Sequence, residues 1–352
     1  MSLLLVAMTA LPFITTDAWW IRIFDFPRVQ LAALLLASLI VYAILLVWRR
    51  SGMDFVMVAL VMSCLVWQVY CIIPYTPLVS PAVQRSGRAG TQSAELRLMI
   101  VNVRYDNRRD QALLEVVRQN EPDLVLVMEP TAWWTQQLES LKQDYPHVVE
   151  QPQENHFGMI LYSRLELIEP QVRFLVTNDV PSIRTRVKLA RGETVWFYGL
   201  HPRPPGLHLP ASDERADSTQ RDTELVLIGR EVADHERPVI VAGDFNDVAW
   251  SHTTALFGRL SGLLDPRIGR GLYSTYHAER PLLRYPLDHV FVSNDFRLAE
   301  LRLLPYVGSD HFPIFVALNF EPAAANDQPE PQPQPGDHEE ADEQLRKQHG
   351  EG

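Results

Sequence analysis

The sequence holds only two cysteines, Cys64 and Cys71, and both lie inside one apolar stretch. That excludes a thiolate zinc site and a disulfide-stapled soluble domain. Excess positive charge is also missing: 32 Lys and Arg face 43 Asp and Glu, for a net charge of −11. Wholesale electrostatic capture of nucleic acid requires a basic footprint, so the balance argues against that class. It says less about a local pocket, where a metal ion can supply the positive charge. No repeat of fixed period runs through the 352 residues, a length sufficient for more than one unit.

Charge is absent altogether from Val29 to Trp48 ("VQLAALLLASLIVYAILLVW") and from Phe55 to Ile73 ("FVMVALVMSCLVWQVYCII"). Runs of about 20 apolar residues match the thickness of a hydrocarbon core, so both read as transmembrane helices. Ser2 to Thr15 is apolar but shorter, either a marginal third span or a signal-peptide-like core. With no small-residue cleavage site after it and Trp19 and Trp20 placed as interfacial anchors, a retained span is the preferred reading, giving two or three spans in all. Arg49 and Arg50 sit between the two long runs. The positive-inside rule places that loop in the cytoplasm and the rest of the chain on the periplasmic or extracytoplasmic side of an inner membrane. Arg22, Arg28, Arg85 and Arg88 count against that orientation. The division expected is a membrane region over 1–75, a Pro-, Ser- and Gly-bearing linker over 76–93, a globular domain over 94–320 and a tail over 321–352. The tail is acidic and proline-rich with almost no apolar residues, which predicts disorder.

Within the globular domain, strand-like runs are Leu96–Val103, Leu124–Met128, Gly158–Tyr162, Arg184–Leu189, Val195–Leu200, Val239–Ala242, Leu287–Val292 and Phe312–Leu318. Helical stretches are Asp110–Gln119, Thr131–Gln143 and Thr219–Asp234. The pattern predicts a two-sheet core flanked by helices. Polar groups sit where these apolar runs begin or end. Asn102, Glu129, His201, Asp244 with Asn246, Asp288 with His289, and Asp310 with His311 each abut a core run. One such residue is by default a turn residue. Six strand mouths furnished this way point to a shared site. Four carboxylates crowded together would raise one another's pKa, and a hard divalent ion resolves the conflict. Oxygen ligands without thiolates favour Mg²⁺ or Mn²⁺ over Zn²⁺. Two histidines can handle protons near neutral pH. The chemistry this set suits is metal-assisted phosphoester hydrolysis.

The stretches "IVNVR", "LVLVMEP", "GLHPRPP", "GDFND", "PLDHVFVS" and "GSDHFP" occur in the order of the endonuclease/exonuclease/phosphatase superfamily, the deoxyribonuclease I-like group, which the chain resembles over about residues 95–320. "WWIRIFDFPR" after the first apolar run resembles a bacterial membrane-anchored branch. The resemblance implies a four-layered αββα sandwich (an α/β, or α+β, fold) behind N-terminal transmembrane helices, with the site at the top of the paired sheets. It implies that Asn102 and Glu129 form the first metal-binding pair, and that Asp244 and Asn246 contact phosphate, nucleophile or metal. Asp288 and His311 match the acid–imidazole pair that activates water. Asp310 matches a neighbouring acid at the metal, and His201 a second histidine at the leaving oxygen or the phosphate. Arg104 resembles a basic residue that touches phosphate, and Arg203 is a substrate-contact candidate beside His201.

Other residues read as ordinary structure. His289 alternates with Asp288 and points the opposite way. His147, His156, His208, His235, His252 and His277 read as surface or loop residues, and Trp133 and Trp134 as core. Arg184 and Arg186 share a strand face, which either reaches phosphate or is solvated. The globular domain is itself acidic. A membrane tether would hold the site near lipid head groups. The leading expectation is a membrane-anchored Mg²⁺- or Mn²⁺-dependent phosphodiesterase or phosphatase acting on a lipid head group or nucleic acid, held in lipid by its own helices and implying no protein partner. An extracytoplasmic nuclease and a non-catalytic, metal-stabilised binding module are the alternatives.

Overall fold

The computed structural model describes residues 1–14, 16–49, 51–87, 95–206 and 217–350. Arg50, Arg88, His208 and most of the loop after Arg203 lie outside the described residues. The chain opens with a short helix α1 (Ser2–Ala10) and a single turn α2 (Trp19–Arg22). Two long helices follow, α3 (Arg28–Arg49) and α4 (Gly52–Ile72), the second capped at its start by the Ser51 side chain. Both are long and apolar enough to cross a bilayer. The N-terminal helix is not. Nine residues rise about 14 Å, half of what a hydrocarbon core demands, and its Leu5 packs against Leu31, Leu35 and Val61 of the long pair.

Among the described residues, eleven strands form two sheets. The first runs in the order β10-β11-β1-β2-β4-β3, with β1 Leu96–Asn102, β2 Leu124–Met128, β3 His147–Gln151, β4 Met159–Ser163, β10 Phe296–Leu303 and β11 Ile314–Phe320. The second is β5-β6-β7-β8-β9, with β5 Leu167–Arg173, β6 Ser182–Lys188, β7 Thr194–Leu200, β8 Val239–Asp244 and β9 Asp288–Val292. In each sheet the one parallel pair, β1 with β2 and β7 with β8, brackets a helical crossover. Their inner faces meet in a core that includes Leu98, Ile100, Leu126, Phe197, Ile240 and Val290. Behind the first sheet lie α5 (Asp110–Asn120) and α6 (Ala132–Gln137), and behind the second α7 (Thr219–Ala233) and α8 (His252–Ser261). The result is the expected four-layered αββα sandwich.

The sheets approach closely where Gly199 stands opposite Leu126. A Cβ on that glycine would fall 2.9 Å from Leu126 Cδ1. At the end of β8, Gly243 has φ 147°, and a side chain there would run into the carbonyl of Leu200 on the neighbouring strand. That glycine lets β8 continue to Asp244 while pressed against β7.

Sequence patterning missed β3, β5, β10 and α8. Three of these are outer strands: β3 and β10 end the first sheet and β5 ends the second. Outer strands carry charge and irregularity that blur alternation. β5 holds Pro170 within a register shift between Ile168 and Gln171, and β10 has a shift between Leu298 and Glu300. The tail also departs from expectation. Instead of disorder, Asp337–His349 forms α9, packed against α7 and α8. Its apolar contribution is little more than Ala341 and Leu345, set against Val226, Leu256 and Leu260. Its acids find cations: Asp337 takes a forked pair from Arg259 at 2.7 and 2.9 Å, and Asp342 pairs with Arg230 at 2.7 Å. Composition alone cannot show that such partners are waiting. The predicted linker likewise packs in part, since Val83 is buried in the intersheet core and Arg85 bridges to Leu298 at the β10 edge.

Leu126 is fully buried between the sheets. Leu126→Ala is expected to cost about 3 kcal/mol, lowering the unfolding midpoint by roughly 6–12 °C for a domain of this size, readable by thermal melts of the detergent-solubilised protein.

Candidate active site

The site lies at one end of the sandwich, where strands of both sheets deliver polar groups. Asn102 closes β1 and Glu129 follows β2, whereas His201 follows β7, Asp244 closes β8 and Asp288 opens β9 directly opposite Asp244. His311 stands just ahead of β11. Asn102, His201, Asp244, Asp288 and His311 are all buried. The convergence expected from sequence is therefore present.

Hydrogen bonds join these groups. The Asn102 side-chain amide donates to Glu129 Oε1 at 2.8 Å and to Asp244 Oδ2 at 3.2 Å, linking one sheet to the other. The Tyr105 N–H donates to the second Glu129 oxygen at 3.3 Å. Asp288 Oδ2 lies 2.7 Å from His311 Nδ1, and the other imidazole nitrogen faces Asp244 Oδ2 at 3.5 Å. His201 Nε2 is 3.8 Å from the same oxygen. The Asn246 backbone N–H donates to Asp244 Oδ1 at 2.9 Å, and its side chain donates to the Pro202 carbonyl at 3.0 Å. Arg104, Glu129 and Asn246 all hold left-handed backbone, with φ of 57°, 61° and 51°. Such conformations are uncommon for Arg and Glu, though more accessible to Asn, and at Arg104 and Glu129 they persist because the surroundings over-determine them.

Burial pushes the Asp244 carboxyl up to about 7, with Asp288 adding to the effect and His311 opposing it. Burial acts against a charged His311, but Asp288 and Asp244 outweigh it and raise the imidazole to about 10. Burial also acts against a charged Glu129, yet the nearby imidazoles of His156, His201 and His311 and the Asn102 hydrogen bond leave its carboxyl below the usual value. His201 is lowered, chiefly by burial, which favours neutral imidazole.

Asp244, Asp288 and His311 offer ligand atoms within 4.8 Å of one another. Buried carboxylates joined by a single neutral amide, with no thiolate nearby, are the donor chemistry of a hard divalent cation. The residues present therefore fit one. Asp310 lines the same cleft, its carboxylate accepting from Ser309 at 3.3 Å.

Some expectations need correction. The Arg203 guanidinium pairs with Asp179 and lies over the Phe157 ring at 4.6 Å, and the residue does not line the cleft. Arg104 turns to Asp106 at 2.6 Å. Arg184 and Arg186 bond Glu231 and Glu169, both at 2.9 Å, and flank Trp196, so their sheet face serves structure. His289 packs on Phe245 and bonds the Asp247 carbonyl at 2.9 Å, as its alternation implied. His156 is an exposed loop residue, as expected, and from there it also lies 3.8 Å from Glu129 and against Tyr105. The signal for its nearness to the site was available, since His156 stands three residues ahead of β4, as His311 does ahead of β11. Thr275, whose hydroxyl accepts from the Asp288 N–H at 3.2 Å, and Tyr276, set against the His311 ring, had no such signal.

The sign of the electrostatics can be tested without metal. A base whose folded pKa is raised from 6.5 to about 10 adds stability that is complete below 6.5 and lost as pH climbs to about 10. An acid raised from 3.8 to about 7 subtracts stability across that lower interval. In EDTA the melting midpoint should therefore fall by several degrees between pH 7 and 10, and His311→Gln should show a smaller fall over the same window.

Among solved structures, the fold is similar to D. rerio TDP2 complexed with single strand DNA product, at 19% identity and TM-score 0.52 over 64% of this chain and 98% of that one. It is similar to a functionally unknown conserved protein from Enterococcus faecalis V583, at 14% identity and TM-score 0.52 over 64% of this chain and all of that one. A third is an endonuclease/exonuclease/phosphatase from Bacteroides vulgatus, at 19% identity and TM-score 0.50 over 64% and 99%. No curated protein matches the chain. At these identities the likeness establishes the fold alone. The sequence profile of the Endonuclease/Exonuclease/phosphatase family, however, matches residues 99–311, from within β1 to the histidine held by Asp288 and across more than half of the chain, and to that family this protein belongs.

Proposed function

We propose that the protein is a membrane-anchored phosphoesterase that uses Mg²⁺ or Mn²⁺ and hydrolyses its substrate by attack of an activated water. The observation that carries this reading is the Asp288–His311 pair at 2.7 Å, aimed at Asp244 and facing Glu129 and Asn102 within one cleft. Members of this family are hydrolases acting on phosphoesters. The fold and this cluster support the chemistry, and α3 and α4 support the anchoring, in keeping with the likeness of the N-terminal stretch to a membrane-anchored branch.

Asp288 fixes the His311 ring and stabilises the imidazolium that forms. With the neighbouring carboxylate charge that otherwise keeps the ring protonated offset by a bound cation, the imidazole would be neutral and free to take a proton from water as it attacks phosphorus. Asp244, beside the second imidazole nitrogen, orients that water. Glu129 and Asn102, with Asp244 adjacent, would hold the cation, and Asp310 stands at the cleft as a further acid. Once bound, the cation would polarise a phosphoryl oxygen and offset its charge. Neutral His201, beside the same Asp244 oxygen, has one N–H to give to the phosphate or the leaving oxygen. The Asn246 side chain is anchored to Pro202 and keeps the Asp244 turn rigid.

The proposed placement has the catalytic domain on the extracytoplasmic side. It is supported by Arg49 at the end of α3 that leads into α4 and by the neutralisation of Arg28, which is buried against Asp25 and Gln68. A reporter fused after residue 350 would read activity on the outer side only, and a cytoplasmic signal would overturn this placement.

Full-length protein should cleave bis(p-nitrophenyl) phosphate in Mg²⁺ or Mn²⁺, lose that activity in EDTA and regain it on metal return. Asp288→Asn should keep the fold and lower kcat by about 10²–10⁴-fold with little change in KM, the scale of a misoriented general base. Wild-type turnover that persists unchanged in EDTA would contradict the metal reading.

A further inference from the structure

The cleft of about 580 Å³ that holds Glu129, Asp244 and His311 is lined by polar groups, Arg22, Arg221 and Arg280 among them, and by an apolar wall. That wall is built by Trp19, Phe24 and Phe26 from the segment between α1 and α3, and by Leu283 from the loop ahead of β9. This wall is fixed to the catalytic domain. The Trp250 indole N–H donates to the Asp25 carbonyl at 2.6 Å, Arg22 donates to Thr253 at 2.8 Å, and the Phe26 ring meets Tyr285 edge-on at 5.6 Å. From Phe26 the chain runs almost at once into α3, so the apolar wall sits at the mouth of a bilayer-length helix.

The loop tip reinforces the placement. Leu282 is 83% exposed, and its carbonyl accepts from the Gln30 side chain, in the first turn of α3, at 2.8 Å. Leu283 is 43% exposed and Trp20 is 55% exposed. Neighbouring leucines and a tryptophan held bare at this level are poorly placed in water and well placed at a lipid interface. Of the three arginines that line the cleft, two are spent within the protein and Arg280, exposed at the rim, is left to meet a single phosphate. Arg22 is bonded to Thr253, and buried Arg221 is bonded to Asp222 and to the Asn246 carbonyl. A polyanion would find few cations there.

We infer that the substrate is a lipid phosphoester of the surrounding leaflet. It enters sideways between the segment Trp19–Phe26 and the Leu282–Leu283 tip, with its phosphate on the acidic floor and its chain along the apolar wall. This rests on the phosphoesterase reading above and adds the substrate class. The reaction is hydrolysis: water adds to phosphorus, the P–O bond to the leaving alcohol breaks, and the alcohol takes up a proton.

The test uses the full chain in phosphatidylcholine nanodiscs with Mg²⁺ and a series of p-nitrophenyl alkyl phosphodiesters bearing methyl, hexyl and dodecyl groups, with a single-stranded oligonucleotide alongside. The expected result is a kcat/KM for nitrophenolate release at least fiftyfold higher for dodecyl than for methyl, because each buried methylene adds to binding. Leu283→Asp and, separately, Phe24→Ala should each cut the dodecyl-to-methyl ratio at least fivefold, with methyl turnover reporting that the variant is folded. Two variants on opposite sides of the entrance guard against one failing to fold. Chain-length-independent turnover, a ratio untouched by both variants, or an oligonucleotide cleaved faster than the dodecyl ester overturns the lipid inference while leaving the phosphoesterase reading intact. No metal-dependent turnover of any substrate overturns both.

Discussion

One side-chain amide ties the two sheets together where it matters. Asn102 ends a strand of the first sheet and gives its two N–H groups to Glu129, on the same sheet, and to Asp244, on the other. Buried carboxylates this close repel one another, and a neutral double donor stabilises the pair without bringing a full positive charge. The rest of the site is arranged around this bridge. Asp288 is set opposite Asp244 by strand register, His311 is held by Asp288, and His201 stands beside the same Asp244 oxygen. The closeness of the sheets, permitted by Gly199 and by the conformation of Gly243, lets one amide span them.

Much of this was legible in the sequence because strand mouths are legible. A buried run such as Leu124–Met128 announces a core strand, and a carboxylate immediately after it has few reasons to be there. The same logic applied to His201, Asp244 and His311. It was not applied to His156, whose place ahead of β4 follows the same rule. The arginines were harder. Arg203 and Arg104 read as substrate contacts in sequence, but an arginine's destination depends on which acids the folded backbone sets beside it, here Asp179 and Asp106. Outer strands escaped notice because one neighbour is missing and the alternation that reveals a half-buried strand is diluted by charge. The tail escaped for a related reason. α9 is held mainly by ion pairs to α7 and α8, and its sparse apolar residues give almost no hydrophobic pattern to read.

The N-terminal helices and the sandwich touch through named contacts. The Tyr75 hydroxyl donates to the Ala249 carbonyl, the Gly269 N–H donates to the Pro74 carbonyl at 2.8 Å, and Trp250 packs on Tyr75. Both ends of the helical pair that face the sandwich are therefore pinned to it, α3 through Asp25 and Phe26 and α4 through Pro74 and Tyr75. The cleft takes its apolar wall from this junction, which is why its chemistry is two-sided.

The path of the last thirty residues has a mechanical meaning. The final strand, β11, belongs to the first sheet, but the final helix rests behind the second. The chain between them hugs the flank, where buried Gln328 bonds the Asn294 and Phe296 carbonyls and accepts from the Gln84 N–H, and Glu330 meets Arg237 at 3.4 Å. The C-terminus thus acts as a belt buckled around the sandwich. Prising the layers apart would first require unfastening α9, so the breathing that could loosen the Asn102 bridge is restrained from the far end of the polypeptide.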